Sequence, residues 1–469
     1  MSGTETTTRI SEAPPGRVGA ISRYSWFSLI LLWLIYALNA NSRQMLFYVL
    51  PSIIKEFKIG PAEVGFLSGG VTAATALLAI PAMVWAERGG SGWRRKYRHL
   101  PIAIGYGLLT FCTGLNVITA TLGGLIILQL ASHAVGGAAE AIEVTSAAEW
   151  WPRSRRGFAL GMHHTGFPWG TLLGGLVVAA ILGAYGSANW RLPFLLYPIP
   201  LIVIFAVYWR FANEKRHNAV VDRFDVSDRV TPATTEEAEK DAAEKGLLRQ
   251  CLANLNISLM AVLGLFATVG YIGLSVWLPQ YLAFVAKYSA AQTAAYSVLF
   301  TITGGIGMIA WGWISDRLGR KLSLVIVFLW LAVAFCMFKY VSMGVGWLIV
   351  VQLVTGLAIN APYTLVYAIA MDSSKRNATG VATSIVDVGL ALGGGAGPLL
   401  VGYMISVGGG YKNIGGYDAA LYVIAGLMLL AALLAALFTR ETTGWFKQRD
   451  RSVIRTPQTR SAEPAPSAG

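Results

Sequence analysis

The chain has 469 residues, of which 55% are hydrophobic and 13% are charged, and its mean hydropathy is +0.56. This composition excludes an ordinary soluble globular protein, because such proteins carry about 25% charged residues. The formal net charge of +13 does not indicate a nucleic-acid partner, since Lys and Arg stand in short connections between apolar runs. Cys112, Cys251 and Cys336 occur singly, without metal or disulfide spacing, which favours packing roles.

Twelve apolar runs follow one another along the chain, six on either side of a polar segment that contains TTEEAEKDAAEKG. Runs of about 20 residues are long enough for an α-helix to cross a hydrocarbon core of roughly 30 Å. The sequence therefore predicts an all-α polytopic membrane protein with about twelve transmembrane helices in two pseudo-symmetric six-helix halves. The predicted regions are an N-terminal tail (1–25), a first half (26–211), a linker (212–254), a second half (255–440) and a C-terminal tail (441–469) expected to be disordered.

Basic residues are concentrated in every second connection, for example in RRKYR and RSRR of the first half. Connections on the cytoplasmic side of membrane proteins carry an excess of Lys and Arg. The N-terminal region also lacks a cleavable signal pattern. Both termini are therefore predicted to be cytoplasmic, in a multi-pass protein of a bacterial inner membrane that is expected to be a monomer.

Glycines reveal an internal repeat between the two halves. Shifted by a constant offset, four first-half glycines coincide with four in the second half, and the basic turns RSRRG and SSKRN precede them. The two sets are Gly161, Gly170, Gly174 and Gly175, and Gly380, Gly389, Gly393 and Gly394. The fifth and eleventh helices are therefore predicted counterparts. Two parallel repeats of this kind are typical of transporters whose site lies near the middle of the membrane.

Ionisable side chains interrupt the apolar, glycine-rich runs on either side of the turn WWPRSRR. They are His133, Glu140, Glu143, His163 and His164. A charge at membrane depth costs at least about 2.5 kcal/mol, so these residues are a candidate functional site. Adjacent helical residues point about 100° apart, so at most one of the two neighbouring histidines is expected to face a cavity squarely. A metal site is not favoured, because no i, i+4 pair links the histidines.

The segment WGWISDRLGRK resembles the signature loop of the major facilitator superfamily. It contains Gly312, Asp316, Arg317, Gly319, Arg320 and Lys321. A carboxylate and several cations at helix ends can form charge-assisted hydrogen bonds that latch one conformational state. The alternative is a basic loop that only sets orientation. The first-half counterpart keeps Arg88 but has Glu87 and Met83 where the signature has Asp and Gly.

Four further stretches resemble the anion:cation symporter branch of that superfamily: NANSRQMLFYVLPSIIKEFKIG, GGAAEA, VWLPQYL and VDVGLALGGGAGPLLVGY. The resemblance implies that Arg43 binds a substrate carboxylate and that Glu140 couples transport to protons. The chain departs from the branch pattern at Ser42, which replaces an Asp, and at His133, which replaces an Arg.

The candidate substrate contacts are Arg43, His163, His164, Trp277 and Gln280. The candidate proton-coupling groups are Glu140, His133 and Asp387. Structural alternatives exist for several of them: Arg43 could extend to the membrane surface, and Trp277 could be an interfacial anchor. Glu140 and the histidines could make hydrogen bonds between helices.

Together these observations predict a secondary transporter that imports a small organic anion, a sugar acid or other carboxylate, by proton symport with alternating access. No nucleophile, metal or nucleotide motif indicates an enzyme or a cofactor. The expected partners are the anion, protons and the lipid bilayer. The alternatives are an organic-anion exchanger or a drug-type proton antiporter of the same fold, and a membrane-bound sensor.

Overall fold

A computed structural model describes residues 21–78, 81–82, 85–86, 92–152, 155–224, 247–374 and 378–443. These residues form helices and connections without a strand, which confirms the predicted all-α class. Ten helical stretches among them are long and apolar enough to cross a membrane. The second and third predicted spans are not among these ten stretches. The second is described only in part, and the helix that contains the third begins with the polar sequence KYRH, which lowers its mean hydropathy.

Several predictions fall outside the described residues. They concern Arg88 with Glu87 and Met83, the polar linker segment TTEEAEKDAAEKG, and most of both tails.

The described residues belong to two compact units, one within Met1–Leu46 and Ala74–Ala243 and the other within Phe47–Ala73 and Glu244–Gly469. Helix α1 (Arg23–Phe57) begins in unit 1 and ends in unit 2, and nearly all of α2 (Pro61–Ala74) belongs to unit 2.

The remaining helices of unit 1 are α3 (Lys96–Thr113), α4 (Asn116–Thr119), α5 (Leu122–Glu149), α6 (Arg156–His164), α7 (Gly166–Tyr185), α8 (Leu192–Leu196), α9 (Pro198–Phe211) and α10 (Glu214–Val221). Those of unit 2 are α11 (Leu247–Ala253), α12 (Leu255–Phe284), α13 (Ala290–Tyr296), α14 (Phe300–Leu318), α15 (Arg320–Met337), α16 (Val345–Ile359), α17 (Ala361–Ser373), α18 (Thr379–Val407) and α19 (Ile414–Phe438).

Side-chain caps explain where some of these helices begin. Thr121 precedes α5, and its hydroxyl accepts a hydrogen bond from the Gly124 amide at 3.2 Å. Asn254 caps α12 in the same way. Such caps satisfy amide groups that have no partner within the helix. They fix the first turn of the two helices that carry the candidate residues Glu140 and Trp277.

Glycines of α7 bring it into backbone contact with α1 in unit 1. A Cβ atom at Gly170 would meet the backbone of Ala37, and one at Gly174 would meet the side-chain amide of Asn41. Small residues at such crossings let transmembrane helices approach closely. The contact sets the distance between α1, which carries Arg43, and the chain that follows His163 and His164.

Unit 2 repeats this contact at the counterpart positions. A Cβ atom at Gly389 or Gly393 of α18 would meet the backbone of α12, at Ala261 and Leu265 respectively. Gly389 and Gly393 are the predicted counterparts of Gly170 and Gly174. A close glycine crossing at these positions in both units supports the parallel repeat predicted from glycine spacing.

Replacing Gly393 with Ala should destabilise unit 2, because the added methyl group would meet the Leu265 backbone, which cannot rotate away. Overpacking of this kind costs about 1–3 kcal/mol. Thermal unfolding of the detergent-purified protein measures the loss. The matched control is Gly426→Ala in α19, where a Cβ atom would meet nothing within 4 Å. Equal melting temperatures for the two variants would contradict this account of the crossing.

Candidate functional site

An ion pair joins α1 to α5 in the interior of unit 1. The Arg43 guanidinium donates a hydrogen bond from Nη2 to Oε2 of Glu140 at 2.8 Å. The Arg43 side chain is only 9% exposed, whereas that of Glu140 is 32% exposed. The two residues that the resemblance singled out, 97 positions apart in the chain, are therefore direct partners. Because Glu140 is the more open of the two, its end of the pair is the more accessible to a small molecule.

Tyr36 extends the pair toward the histidines of α6. Its hydroxyl donates to the second oxygen of Glu140, Oε1, at 2.9 Å. Its ring stacks on that of His163, with centroids 4.7 Å apart and an interplanar angle of 21°. The sequence analysis did not single out Tyr36, since a tyrosine in an apolar run carries no distinctive spacing signal.

The two adjacent histidines have different surroundings, as their helical spacing predicts. His163 is fully buried, and within the described part of the chain neither ring nitrogen has a hydrogen-bond partner. His164 is partly exposed, and its Nδ1 donates to the Leu160 carbonyl at 2.7 Å. His164 Nε2 is therefore the nitrogen left to accept a proton or a hydrogen bond from a ligand.

His133 lies two turns before Glu140 on α5 and is buried. Its Nδ1 is 2.8 Å from the Gln129 carbonyl oxygen, so this nitrogen carries a proton and donates it within the same helix. That bond fixes the imidazole orientation.

A second polar cluster surrounds Glu143, which is fully buried. One carboxylate oxygen lies 3.2 Å from Nε2 of His99 on α3, and the other accepts from the Asn39 amide at 3.3 Å. The sequence analysis gave His99 no role. The only sequence signal for His99 is the polar start of its helix, KYRH, which is indistinguishable from a basic connection.

The candidate residues of unit 2 are held by backbone oxygens and by a tyrosine. Trp277 is buried, and its indole donates to the Pro398 carbonyl at 3.1 Å across α12 and α18. Gln280, also buried, donates to the Val276 carbonyl one turn earlier at 3.1 Å. Asp387 is exposed on α18 and accepts a short hydrogen bond from the Tyr367 hydroxyl of α17.

Arg320 is the centre of the ion pairs in the signature loop. Its Nε donates to Asp372, at the end of α17, at 2.6 Å, and its backbone amide donates to Glu441 at 2.8 Å. Asp316 lies 3.3 Å from the same guanidinium, but its side chain is 64% exposed. The sequence analysis named Asp316 but missed Asp372 and Glu441, because a loop motif does not show which distant carboxylate it meets.

The other loop residues have supporting contacts. Gly319 separates α14 from α15 with φ +114°, a conformation that side chains rarely adopt. The Arg317 guanidinium lies 3.5 Å from the centre of the Trp313 ring. A Cβ atom at Gly312 would make only ordinary contact, with Thr364 of α17.

Unit 1 has an equivalent ion pair at the connection that contains RRKYR (94–98), which we call its basic end. The Arg95 Nε donates to Glu149, at the end of α5, at 2.8 Å, and the Gly92 amide donates to the same carboxylate at 2.7 Å. His217 of α10 contacts Gly92 and the Trp150 ring, and this burial lowers the pKa of His217 although Glu149 opposes the shift. The Arg95–Glu149 pair is thus a first-half counterpart of the Arg320–Asp372 pair. It does not involve Glu87 or Met83, the two residues that depart from the signature.

A sequence model of the Major Facilitator Superfamily matches residues 32–314 and 289–461. The chain belongs to the Major Facilitator Superfamily. It is therefore a transporter rather than an enzyme, integral to a membrane through several spans.

Two relatives within this superfamily act on anions according to their names. Glucose-6-phosphate exchanger SLC37A2 of Mus musculus is 26% identical over 336 residues, which cover 64% of this chain and 65% of the relative. A protein of Agrobacterium vitis named "Putative tartrate transporter" is 24% identical over 299 residues, which cover 62% and 64%. Less than two thirds of each relative is thus matched. The second name agrees with the anion:cation symporter branch.

A solved structure shows the same fold. The inward-facing, unoccupied bacterial homolog of the human lysosomal transporter Spinster has a TM-score of 0.64 at 18% identity, covering 89% of this chain and 97% of that one.

Replacing Asp372 with Asn should lower the free energy of unfolding of this protein more than replacing Asp316 with Asn. A hydrogen bond to a charged group contributes about 1.5–3 kcal/mol, and partial exposure places the loss for Asp372 near the lower end. An exposed pair such as Arg320–Asp316 contributes less than about 1 kcal/mol. Thermal unfolding of the two purified variants provides the comparison. A larger loss for Asp316→Asn would make Asp316 the main partner of Arg320.

Proposed function

We propose that the protein carries a small organic anion across the membrane by proton symport, with Arg43 binding the acid group of the substrate and Glu140 carrying the proton. The observation that supports this proposal most directly is the Arg43–Glu140 ion pair. The carboxylate of Glu140 accepts one hydrogen bond from the guanidinium, through Nη2, and within the described residues Nε of Arg43 has no partner. A substrate carboxylate that replaced Glu140 could bind the guanidinium in a bidentate manner.

The coupling follows from the net charge of the site. The guanidinium and the carboxylate cancel each other, so an entering monoanion would leave one uncompensated negative charge in a largely buried place. Such a charge is strongly disfavoured in a medium of low polarity. A proton on Glu140 restores neutrality and releases Arg43 to the substrate. The Tyr36 hydroxyl, which donates to Oε1 of Glu140, can continue to donate to the unprotonated oxygen of the carboxyl group.

We assign the substrate to the sugar acids or other carboxylates. A phosphate ester is the competing class, because a guanidinium binds phosphate as well as carboxylate. The names of the two relatives include one anion of each class. The other residues proposed to contact the substrate are His163 or His164, Trp277 and Gln280.

Three further assignments complete the proposal. His133 supports proton coupling beside Glu140, and Asp387 is the rival coupling group. The loop Gly312, Asp316, Arg317, Gly319 and Arg320 acts as a conformational latch, and Arg88 belongs to its first-half counterpart. The protein resides as a monomer in a bacterial inner membrane with both termini cytoplasmic, as the basic connections indicate.

Anion exchange is a second candidate, because the Mus musculus relative is named an exchanger. In an exchanger Arg43 would still bind the anion, but the proton on Glu140 would not be released in each cycle. Net uptake driven by a pH gradient therefore separates the two mechanisms.

The Arg43→Lys variant should bind its anion at least about tenfold more weakly, a loss of about 1.4 kcal/mol, because Lys keeps the charge but lacks the planar fork. A thermal-shift screen of the purified protein against carboxylates, phosphate esters and organic cations would identify the ligand, since saturation at 100 times Kd stabilises by about 2.7 kcal/mol. The control is Arg210→Lys, at an exposed position of α9. Unchanged affinity in Arg43→Lys would remove Arg43 from the site.

The Glu140→Gln variant should exchange substrate across proteoliposome membranes but should not accumulate it under an imposed pH gradient. Gln imitates the protonated carboxyl group, so it leaves Arg43 available and has no proton to exchange. Labelled-substrate counterflow and gradient-driven uptake are measured side by side, with Asp387→Asn as the matched variant. Wild-type accumulation by Glu140→Gln would refute its coupling role, and loss in Asp387→Asn alone would transfer that role to Asp387.

A further inference from the structure

His99 and Glu143 form a buried pair of titratable groups that the proposed exchange at Arg43 and Glu140 does not use. The imidazole Nε2 of His99 lies 3.2 Å from Oε1 of Glu143, and both side chains are fully buried. Asn39 donates to Oε2 of Glu143 at 3.3 Å, and it also donates to the Gly136 carbonyl at 2.9 Å. These contacts hold the carboxylate toward the imidazole.

The pair lies between the Arg43–Glu140 ion pair and the basic end of unit 1. Along α5, Glu143 follows Glu140 by three residues, about 4.5 Å, and precedes Glu149 by six residues, about 9 Å. Asn39 spans the level of Glu140, since its amide donates both to the Gly136 carbonyl, one turn before Glu140, and to Glu143.

Among the described residues, the two guanidinium groups that pair with carboxylates of α5 balance only Glu140 and Glu149, although Arg43 also interacts electrostatically with Glu143. Arg43 is paired with Glu140, and Arg95 is paired with Glu149. The other titratable groups around the pair are rings, which are uncharged as neutral imidazole or phenol: Tyr36, Tyr106, His163, Tyr197 and Tyr208. A neutral His99 beside an ionised Glu143 would therefore leave a net charge of −1 in the buried interior. One proton shared by the two groups removes that charge.

The remaining nitrogen of His99 gives this proton a way out. Nδ1 of His99 is buried and has no hydrogen-bond partner within the described residues. An imidazole can accept a proton at one nitrogen while it releases another from the opposite nitrogen. Nε2 faces Glu143, so Nδ1 is the nitrogen that remains for exchange of this proton.

We propose that His99 and Glu143 are a second proton-binding site, which receives the proton leaving Glu140 and passes it toward the basic end of unit 1. The transfer is a proton shift only: the O–H bond of Glu140 breaks, a bond to Glu143 or His99 forms, and no other reactant is required. The direction of the transfer rests on the proposed proton symport. The existence of the site does not, because the charge balance of the buried pair is the same in either transport mode.

Infrared difference spectroscopy of the purified protein during a pH titration tests the site without any substrate, through the carbonyl stretch of protonated carboxyl groups. The Glu140→Gln variant should keep one buried carboxyl band, and the Glu140→Gln/Glu143→Gln double variant should lose it. His99→Gln, which removes the partner of that carboxyl group, should change the pH dependence of the band. Glu63→Gln, at an exposed position of α2, is the control and should leave the band unchanged.

Proteoliposome assays then separate a relay from a structural pair. Glu143→Gln should keep counterflow within about twofold of wild type, while gradient-driven uptake falls about tenfold or more. If Glu143→Gln does not fold, His99→Gln provides the same comparison, because it removes the base and retains the carboxyl group.

Loss of stability with unchanged pH dependence of uptake would make the pair structural and overturn the proposal, as would retention of the band in the double variant. Absence of gradient-driven uptake in the wild type would instead refute proton symport, and the band would still test the proton site.

Discussion

The compensation of charge in a low-dielectric interior is the constraint on which unit 1 depends. Three acidic residues of α5 lie at successive levels, and each has a basic partner on another helix: Glu140 with Arg43, Glu143 with His99, and Glu149 with Arg95. An unpaired charge at any of these levels would oppose folding within the membrane, because burial penalises an uncompensated ion far more than a paired one. The same requirement makes the site responsive. A pair that must remain neutral can exchange its partner only when another charge arrives.

The three pairs differ in accessibility, and this difference separates their roles. Glu140 is partly exposed, Glu143 is fully buried, and Glu149 lies at the basic end beside Gly92 and Trp150. In the proposals above, the first pair competes with the anion and the second exchanges a proton, whereas the third joins the end of α5 to the segment before α3. A single helix carries all three carboxylates, which differ mainly in how far each lies from water.

The sequence predicted the fold class and the repeat well, because span length, hydropathy and glycine spacing are properties of single helices. A family resemblance also singled out Arg43 and Glu140 as candidate site residues. The sequence could not predict that these two side chains bond directly, since their meeting depends on how α1 crosses α5. His99 was missed for the same reason: its partner, Glu143, is 44 positions away, and its own helix begins with a sequence that resembles a basic loop. Asp372 and Glu149 likewise acquire their meaning only when helix ends come together.

The glycine crossings have a mechanical consequence. Where a glycine lies against the backbone of another helix, as Gly170 does against Ala37, no side chain lies between the two helices. A change of rotamer therefore cannot alter the distance between them at that point. The crossing therefore restricts the movement of α1 relative to α7. Arg43 lies on α1, and α6, which ends at His164, is followed directly by α7. The separation between the Arg43 guanidinium and the two imidazoles is therefore determined largely by this helix crossing.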